Sequence, residues 1–238
     1  MSKRLEGKLA LITGASAGIG AAVAEEYAKA GADLVLVGRN TQGLEAIDDI
    51  VQSHGVKATL VPMDLRNFQS IDEMVFAIAA RFQKLDIVVG NAAVLGPLGP
   101  MTDSSPEAWH EVMDINLNAN WRLLKMCDPL LKKAPAGRAI FVTSGVARQV
   151  IPYMSAYAVS KAALEFMVKT YAKEVENTYP NLRVNLLDPG VVRTKMRAQA
   201  APGEDPMTLP TPSQIAGAFV DLASDECRHH GEVVFAQG

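Results

Sequence analysis

Leu9-Ala10-Leu11-Ile12-Thr13-Gly14-Ala15-Ser16-Ala17-Gly18-Ile19-Gly20 is a short apolar run followed by glycines spaced G-x-x-x-G-x-G. The pattern predicts a strand, a tight turn and a helix in succession. Gly14 turns the chain off the strand, Gly18 lets backbone N–H groups approach a ligand, and Gly20 lets helix and sheet pack closely. Downstream, Ile19, Val23 and Tyr27 recur at i, i+4 and i+8 within Gly18–Ala30, one face of a helix, and Gly31 is a natural left-handed cap. A helix N-terminus behind such a loop faces an anion. Gly14, Ser16, Ala17, Gly18, Ile19 and Gly20 are therefore assigned to the pyrophosphate of a dinucleotide. No lysine follows the glycines, so the loop is not a P-loop for nucleoside triphosphates.

Six further apolar runs follow: LVLVG (34–38), ATLVP (58–62), LDIVVG (85–90), RAIFVTS (138–144), RVNLLDP (183–189) and EVVFA (232–236). Each is continuous rather than alternating, as in strands buried on both faces. Helix-like stretches separate them, among them Phe68–Phe82, a helix opened by Ser105-Pro106, and Tyr153–Thr178. Repeated strand–helix alternation predicts a Rossmann-type α/β fold: a doubly wound parallel sheet of about seven strands with helices on both faces. No linker or repeat divides residues 1–238, so one domain is expected. Ala200–Pro212 carries Pro202, Pro206, Pro210 and Pro212, and lies after the sixth strand near the ligand-binding edge of such sheets. A pocket or lid loop is expected at about 195–212.

Composition narrows the function classes. The 238 residues carry 23 Lys and Arg against 26 Asp and Glu, a net charge of −3, which argues against nucleic-acid or anionic-membrane partners. Cys127 and Cys227 are the only cysteines, too few for a disulfide framework or a thiolate metal site, and a reducing compartment is expected. The apolar run after MSKRLEGK breaks too early for a signal peptide, and no run approaches the ~20 residues of a membrane span. A soluble cytoplasmic protein is expected. His229-His230 reads as a solvated loop rather than a metal site, so no metal is assigned.

The second strand ends at Gly38-Arg39-Asn40. An acidic residue here would bind a ribose 2′-hydroxyl, whereas an arginine pairs with a 2′-phosphate and can stack on adenine. Arg39 and Asn40 are assigned to the adenosine end, with NADP(H) preferred over NAD(H).

Further motifs appear in order: Asp64 after the third strand, Gly90-Asn91-Ala92-Ala93 after the fourth, and Asp114-Ile115-Asn116-Leu117. Ser144 closes the fifth strand, Tyr157-Ala158-Val159-Ser160-Lys161 opens a helix, and Asp188-Pro189-Gly190-Val191-Val192-Arg193-Thr194 closes the sixth strand. With the glycine loop, these resemble the short-chain dehydrogenase/reductase family over essentially the whole length. The tail TKMRAQA…EDP…LPTPSQI is similar to a bacterial oxidoreductase branch of that family.

The resemblance implies roles by position. Asp64 would hold the adenine with the backbone of Leu65 beside it. Asn91, Ala92 and Ala93 would approach the ribose. Pro189, Gly190, Val192 and Thr194 would cradle the nicotinamide. Asn116, Ser144, Tyr157 and Lys161 would form the catalytic tetrad, with Tyr157 and Lys161 also touching the cofactor and Asn116 holding a water. The family also implies a homodimer or homotetramer, in which Trp121 lies either at the interface or in the monomer core. Two positions depart from the usual pattern: Ala93 stands for a glycine, and the chain finishes GEVVFAQG rather than V-D-G-G.

The residues support hydride transfer between NADP(H) and a carbonyl or alcohol. Tyr157 and Lys161 are four apart, on one helix face. A cation ~4 Å from the phenol at an effective dielectric of ~20 contributes about 4 kcal/mol, which would bring its pKa near 7, with desolvation of the phenolate working against the fall. Ser144 would orient the substrate oxygen. Pocket candidates are Leu95 to Leu98, Val146 to Met154 and Met196 to Thr211, with Met101 also in reach, and Arg148 facing either water or an anionic group on the substrate or a carrier. Two alternatives were weighed: a non-catalytic NADP(H)-binding redox sensor, and a methyltransferase in which Ser144, Tyr157, Lys161 and Arg39 would have no role.

Overall fold

A computed structural model describes residues 3–237. Its seven strands are β1 (Leu9–Thr13), β2 (Asp33–Gly38), β3 (Ala58–Pro62), β4 (Ile87–Gly90), β5 (Arg138–Val142), β6 (Arg183–Asp188) and β7 (Val233–Phe235). They form one sheet in the order β3-β2-β1-β4-β5-β6-β7. Every pairing is parallel. The expected doubly wound sheet is thus observed, and all seven runs supply strands. The chain order reverses between β1 and β4, which opens a crevice at their carboxyl ends.

Alternation along the strands explains why continuous apolar runs were needed. In β1, Ala10 and Ile12 join one buried cluster while Leu9 and Leu11 join the other. The first face is covered by α1 (Gly18–Lys29), α2 (Thr41–Ser53), α8 (Pro212–Ile215) and α9 (Gly217–Ala223), with Tyr27 and Phe219 fully buried. The second is covered by α3 (Phe68–Phe82), α5 (Ala119–Lys133) and α6 (Ser155–Val175), with Phe141 at its centre. Helix α4 (Pro106–Met113), capped by Ser105, continues through a π turn (Asp114–Asn118) into α5, while α7 (Lys195–Ala200) follows β6. Trp121 is 47% exposed, so it is not monomer core. Helix α2, unassigned from the sequence, is announced only by Asn40, whose side chain accepts from the Gly43 N–H. No helix among the described residues is long and apolar enough to cross a membrane.

One hydroxyl ties the two lips of the crevice together. Thr13 Oγ1 accepts from the Asn91 and Ala92 N–H groups at 3.0 and 3.1 Å and donates to the Val89 carbonyl at 3.3 Å. Thr13 is 1% exposed, so water cannot replace these bonds. Thr13→Val keeps the shape and leaves the two N–H groups without this acceptor. We expect it to lower unfolding free energy by about 2–4 kcal/mol, read from urea denaturation midpoints.

Candidate active site

The glycine loop is held by contact rather than by length. Gly14 has φ +68°, a left-handed backbone that favours glycine. A Cβ on Gly20 would overlap the Gly14 carbonyl oxygen and stand 2.6 Å from Asn91 Nδ2. Asn91 Nδ2 in turn donates to the Thr13 carbonyl at 2.9 Å. Helix α1 is therefore pressed onto the ends of β1 and β4.

Its N-terminus is also left open. Asn40, Asn67, Ser105 and Thr194 cap α2, α3, α4 and α7 with side-chain acceptors, whereas Ala17 offers α1 none. No acidic residue stands in the first turn of α1. Unpaired first-turn N–H groups at the mouth of a crevice suit a phosphate.

A cleft of about 1090 Å³ runs from this turn across the carboxyl ends of the strands. Gly14, Ser16, Ala17, Gly18, Ile19, Arg39, Asn40, Asp64, Leu65, Asn91, Ala92 and Ala93 line one part. Ser144, Tyr157, Lys161, Pro189, Gly190, Val192 and Thr194 line the other. Gly20 and Asn116 support the cleft without lining it. At the adenosine end Arg39 is exposed, and Asp64 is gripped by Arg66, whose Nε lies 3.0 Å from Oδ2. The hydrogen bonds from Arg66, with the charge of Arg39 adding to them, hold the Asp64 carboxyl below its ordinary range. Arg66 was not foreseen from sequence, since its role rests on the turn that folds it back onto its neighbour.

Three features of the catalytic end bear on the expectations. The Tyr157 phenol is pushed up to about 12 by burial, with the charge of Asp188 adding to the rise and the Ser144 hydroxyl opposing it. The expected fall to near 7 is absent because desolvation dominates and the Ser144 hydroxyl alone pulls the other way. Lys161 Nζ donates to the Val142 carbonyl at 2.7 Å and stands 5.8 Å from the Tyr157 ring centroid. Burial also lowers the Lys161 ammonium to about 8, against the pull of Asp188.

Second, the Asn116 side chain is committed. Its Oδ1 accepts from the Val94 N–H at 2.9 Å, and its Nδ2 donates to the Val94 carbonyl at 2.9 Å and to Ser160 Oγ at 3.0 Å. It pins the loop after β4 to α6, within a π turn of the kind often found at functional sites. Ser160 Oγ donates onward to the Tyr157 carbonyl at 2.7 Å, a link not foreseen.

Third, Arg148 does not present its charge to the cleft. Its guanidinium is paired with Glu165 and Asp188. A charge so engaged is not free for an anionic substrate group, which corrects the expectation.

The walls are narrower in origin than expected. Of Leu95 to Leu98 only Leu95 lines the cleft, joined by Val94, and Met101 lies 62% exposed on a surface turn. Val146, Gln149, Ile151 and Met154 line it after β5, and Met196, Arg197 and Ala200 after β6. The tail contributes unexpectedly: Gln237 Nε2 donates to the Pro189 carbonyl at 2.7 Å and the Val191 carbonyl at 3.0 Å, bracing the Gly190 turn. Gly238, the last tail residue, lies outside the described residues. His229 pairs with Glu232 and His230 meets the Ala172 carbonyl, away from the cleft.

Comparisons agree with this architecture. The short chain dehydrogenase family model matches residues 8–205. The chain is 38% identical over 234 residues to the uncharacterized oxidoreductase YciK of Escherichia coli K12, covering 97% of this chain and 92% of that protein. A short chain dehydrogenase from Salmonella enterica serovar Typhi superposes with TM-score 0.95 at 38% identity, covering 100% and 99% of the two chains. A putative short chain dehydrogenase from Escherichia coli CFT073, complexed with NADPH, superposes with TM-score 0.94 at 37% identity and full coverage of both chains. From these matches, the chain belongs to the short-chain dehydrogenase/reductase family of oxidoreductases, in its YciK-like branch.

Proposed function

We propose that the protein interconverts a ketone or aldehyde and its alcohol with NADP(H), using Ser144, Tyr157 and Lys161. One observation carries the reading: these three residues share a single cleft with an uncapped helix N-terminus behind a glycine turn. The open N–H groups of α1 would take the pyrophosphate. Arg39, beside an Asp64 already neutralised by Arg66, would take a 2′-phosphate. The relative complexed with NADPH, 37% identical over its full length, supports the same choice. When bound, the cofactor supplies the hydride.

The chain's own residues would do the rest. Ser144 donates a hydrogen bond to the substrate oxygen and orients it. Tyr157 gives that oxygen its proton during reduction and takes it back during oxidation. Lys161, 1% exposed, holds a positive charge against the developing phenolate. Asn116 fixes the loop after β4 against this helix. Val94, Leu95, Ile151, Met154 and Met196 give the substrate apolar walls, suited to a hydrophobic carbonyl compound. We read segment 195–212 as the lid of this pocket, since Lys195, Met196, Arg197 and Ala200 at its start and Pro212 at its end line the cleft.

The cofactor choice is tested by fluorescence titration with NADPH and NADH. Arg39→Ala should weaken NADPH binding about tenfold or more and leave NADH nearly unchanged. Equal losses for both would refute the 2′-phosphate role.

The proton donor is tested by Tyr157→Phe, which should lower the rate of carbonyl reduction by at least about 10³-fold while NADPH affinity stays within about twofold. A variant with wild-type turnover would remove Tyr157 from the mechanism.

The pH dependence follows from the two shifts. A phenol near 12 remains protonated and able to donate throughout the neutral range. Lys161, near 8, is charged below that pH and loses its charge above it. Carbonyl reduction should therefore be level below about pH 8 and decline above it, whereas alcohol oxidation, which needs the phenolate, should rise with pH. Steady-state rates measured in both directions from pH 6 to about 10 check the signs.

A further inference from the structure

Beyond the cleft lining, three chain segments must stay in register for any chemistry there: the loop after β5 with Ser144, helix α6 with Tyr157 and Lys161, and the turn after β6 with Pro189 and Gly190. A single side chain touches all three. Arg148 lies four residues past Ser144 on the first segment. Its Nη1 meets Glu165 Oε1 on α6, one turn beyond Lys161. Its Nη2 meets Asp188 Oδ2 at the end of β6.

The other oxygens of both carboxylates are also in use. Glu165 Oε1 accepts from the Thr143 hydroxyl at 2.8 Å, and Oε2 from Lys169 Nζ at 3.2 Å. Asp188 Oδ1 accepts from the Gly190 N–H at 2.9 Å and so holds the turn where Gly190 has φ +69°. The guanidinium carbon also lies 5.2 Å from the centroid of Phe235, a residue of the cleft wall on β7.

Burial makes the network consequential. The Glu165 and Asp188 side chains are 7% and 5% exposed, and that of Arg148 is 32% exposed. Two buried carboxylates beside one buried ammonium are a charge excess that the fold must offset. Around Lys161, the charge of Asp188 on β6 acts on the ammonium and the Tyr157 ring centroid lies 5.8 Å from Nζ, while Glu165, one turn further along the same helix, and Asp188 both pair with Arg148. Lys169 offsets Glu165 only from the surface, where its side chain is 45% exposed. Lysine in place of Arg148 would carry the charge but could not span both carboxylates from one planar group.

We propose that Arg148 is the positioning residue of the active site: it joins the segments carrying Ser144, Tyr157–Lys161 and Gly190, and offsets the Glu165 and Asp188 charges behind Lys161. This inference rests on the function proposed above for the same cleft. Arg148 itself touches neither substrate nor cofactor. It acts through the placement of the groups that do, and through the field that Lys161 feels.

The test compares wild type, Arg148→Met and Arg148→Lys by NADPH fluorescence titration and by kcat, KM and pH profile for an apolar aldehyde. Unfolding midpoints establish the folded fraction of each. Arg148→Met should weaken NADPH binding severalfold, because the Gly190 turn loosens, and lower kcat per folded molecule by about 10- to 100-fold. With Asp188 no longer offset, Lys161 keeps its proton longer, so the alkaline decline in reduction should move to higher pH. Arg148→Lys should leave that decline in place, since one charge is kept, yet still lower kcat because the bridge is lost.

Should Arg148→Met fail to fold, Arg148→Lys alone decides: reduced kcat with an unmoved pH limb supports the bridge, and wild-type kcat refutes it. Variants that lose only stability, with wild-type NADPH affinity, kcat per folded molecule and pH limb, would reduce Arg148 to scaffold and overturn the proposal. A wild-type protein that binds NADPH but turns over no carbonyl compound would instead overturn the proposed function. NADPH affinity would then decide the Arg148 proposal alone, a severalfold loss in Arg148→Met supporting it and an unchanged value refuting it.

Discussion

Where β1 leaves the sheet, the chain must turn, start a helix and pass the end of β4 with no room for a side chain at Gly20. The rest of the site depends on this crowding. It sets α1 directly above the crevice where the strand order reverses, with the uncapped N-terminus pointing at the cleft. Thr13, itself buried, and Asn91 lock the two strand ends that form the crevice through their hydrogen bonds. A looser junction would leave the glycines in place and lose the aim of the helix dipole, which falls off within about one turn.

The opposite end of the cleft is governed by desolvation. A cation near a phenol lowers its pKa, and a Coulomb estimate in a moderately polar medium makes that effect large. Here burial acts on both partners and disfavours both charges, so the phenol rises and the ammonium falls. The phenol is thereby held protonated across the neutral range. The lysine's bond to the Val142 carbonyl keeps the ammonium anchored to β5 while the phenol faces the cleft. Behind it, the charge of Asp188 works against the effect of burial on Lys161, and Arg148 pairs with Asp188 and with Glu165.

The two ends share a structural device: a side chain that bridges segments distant in sequence. Asn116 joins the loop after β4 to α6, Arg148 joins the loop after β5 to α6 and β6, and Gln237 joins the tail to the turn after β6. Each pairs with backbone or carboxylate groups near the cleft. These bridges hold loops that have little regular structure of their own.

Strand identity, the doubly wound class, the glycine turn and the spacing of Tyr157 and Lys161 were legible in the chain, because each rests on local periodicity or on residues a few positions apart. Even Gly20 could be read so, since a β-strand followed closely by a helix demands a small residue there. Arg148, Glu165 and Asp188 were visible only as separate residues, so Arg148 was left between water and a substrate anion and its two carboxylates were not foreseen. Seventeen and forty residues separate it from its carboxylates. The same distance in sequence concealed the Gln237 brace, and burial, which no single residue records, set the direction of the Tyr157 shift. Local backbone chemistry is thus written in the chain, whereas charge balance and pKa depend on neighbours and solvent exclusion that exist only once the sheet has brought its strand ends together.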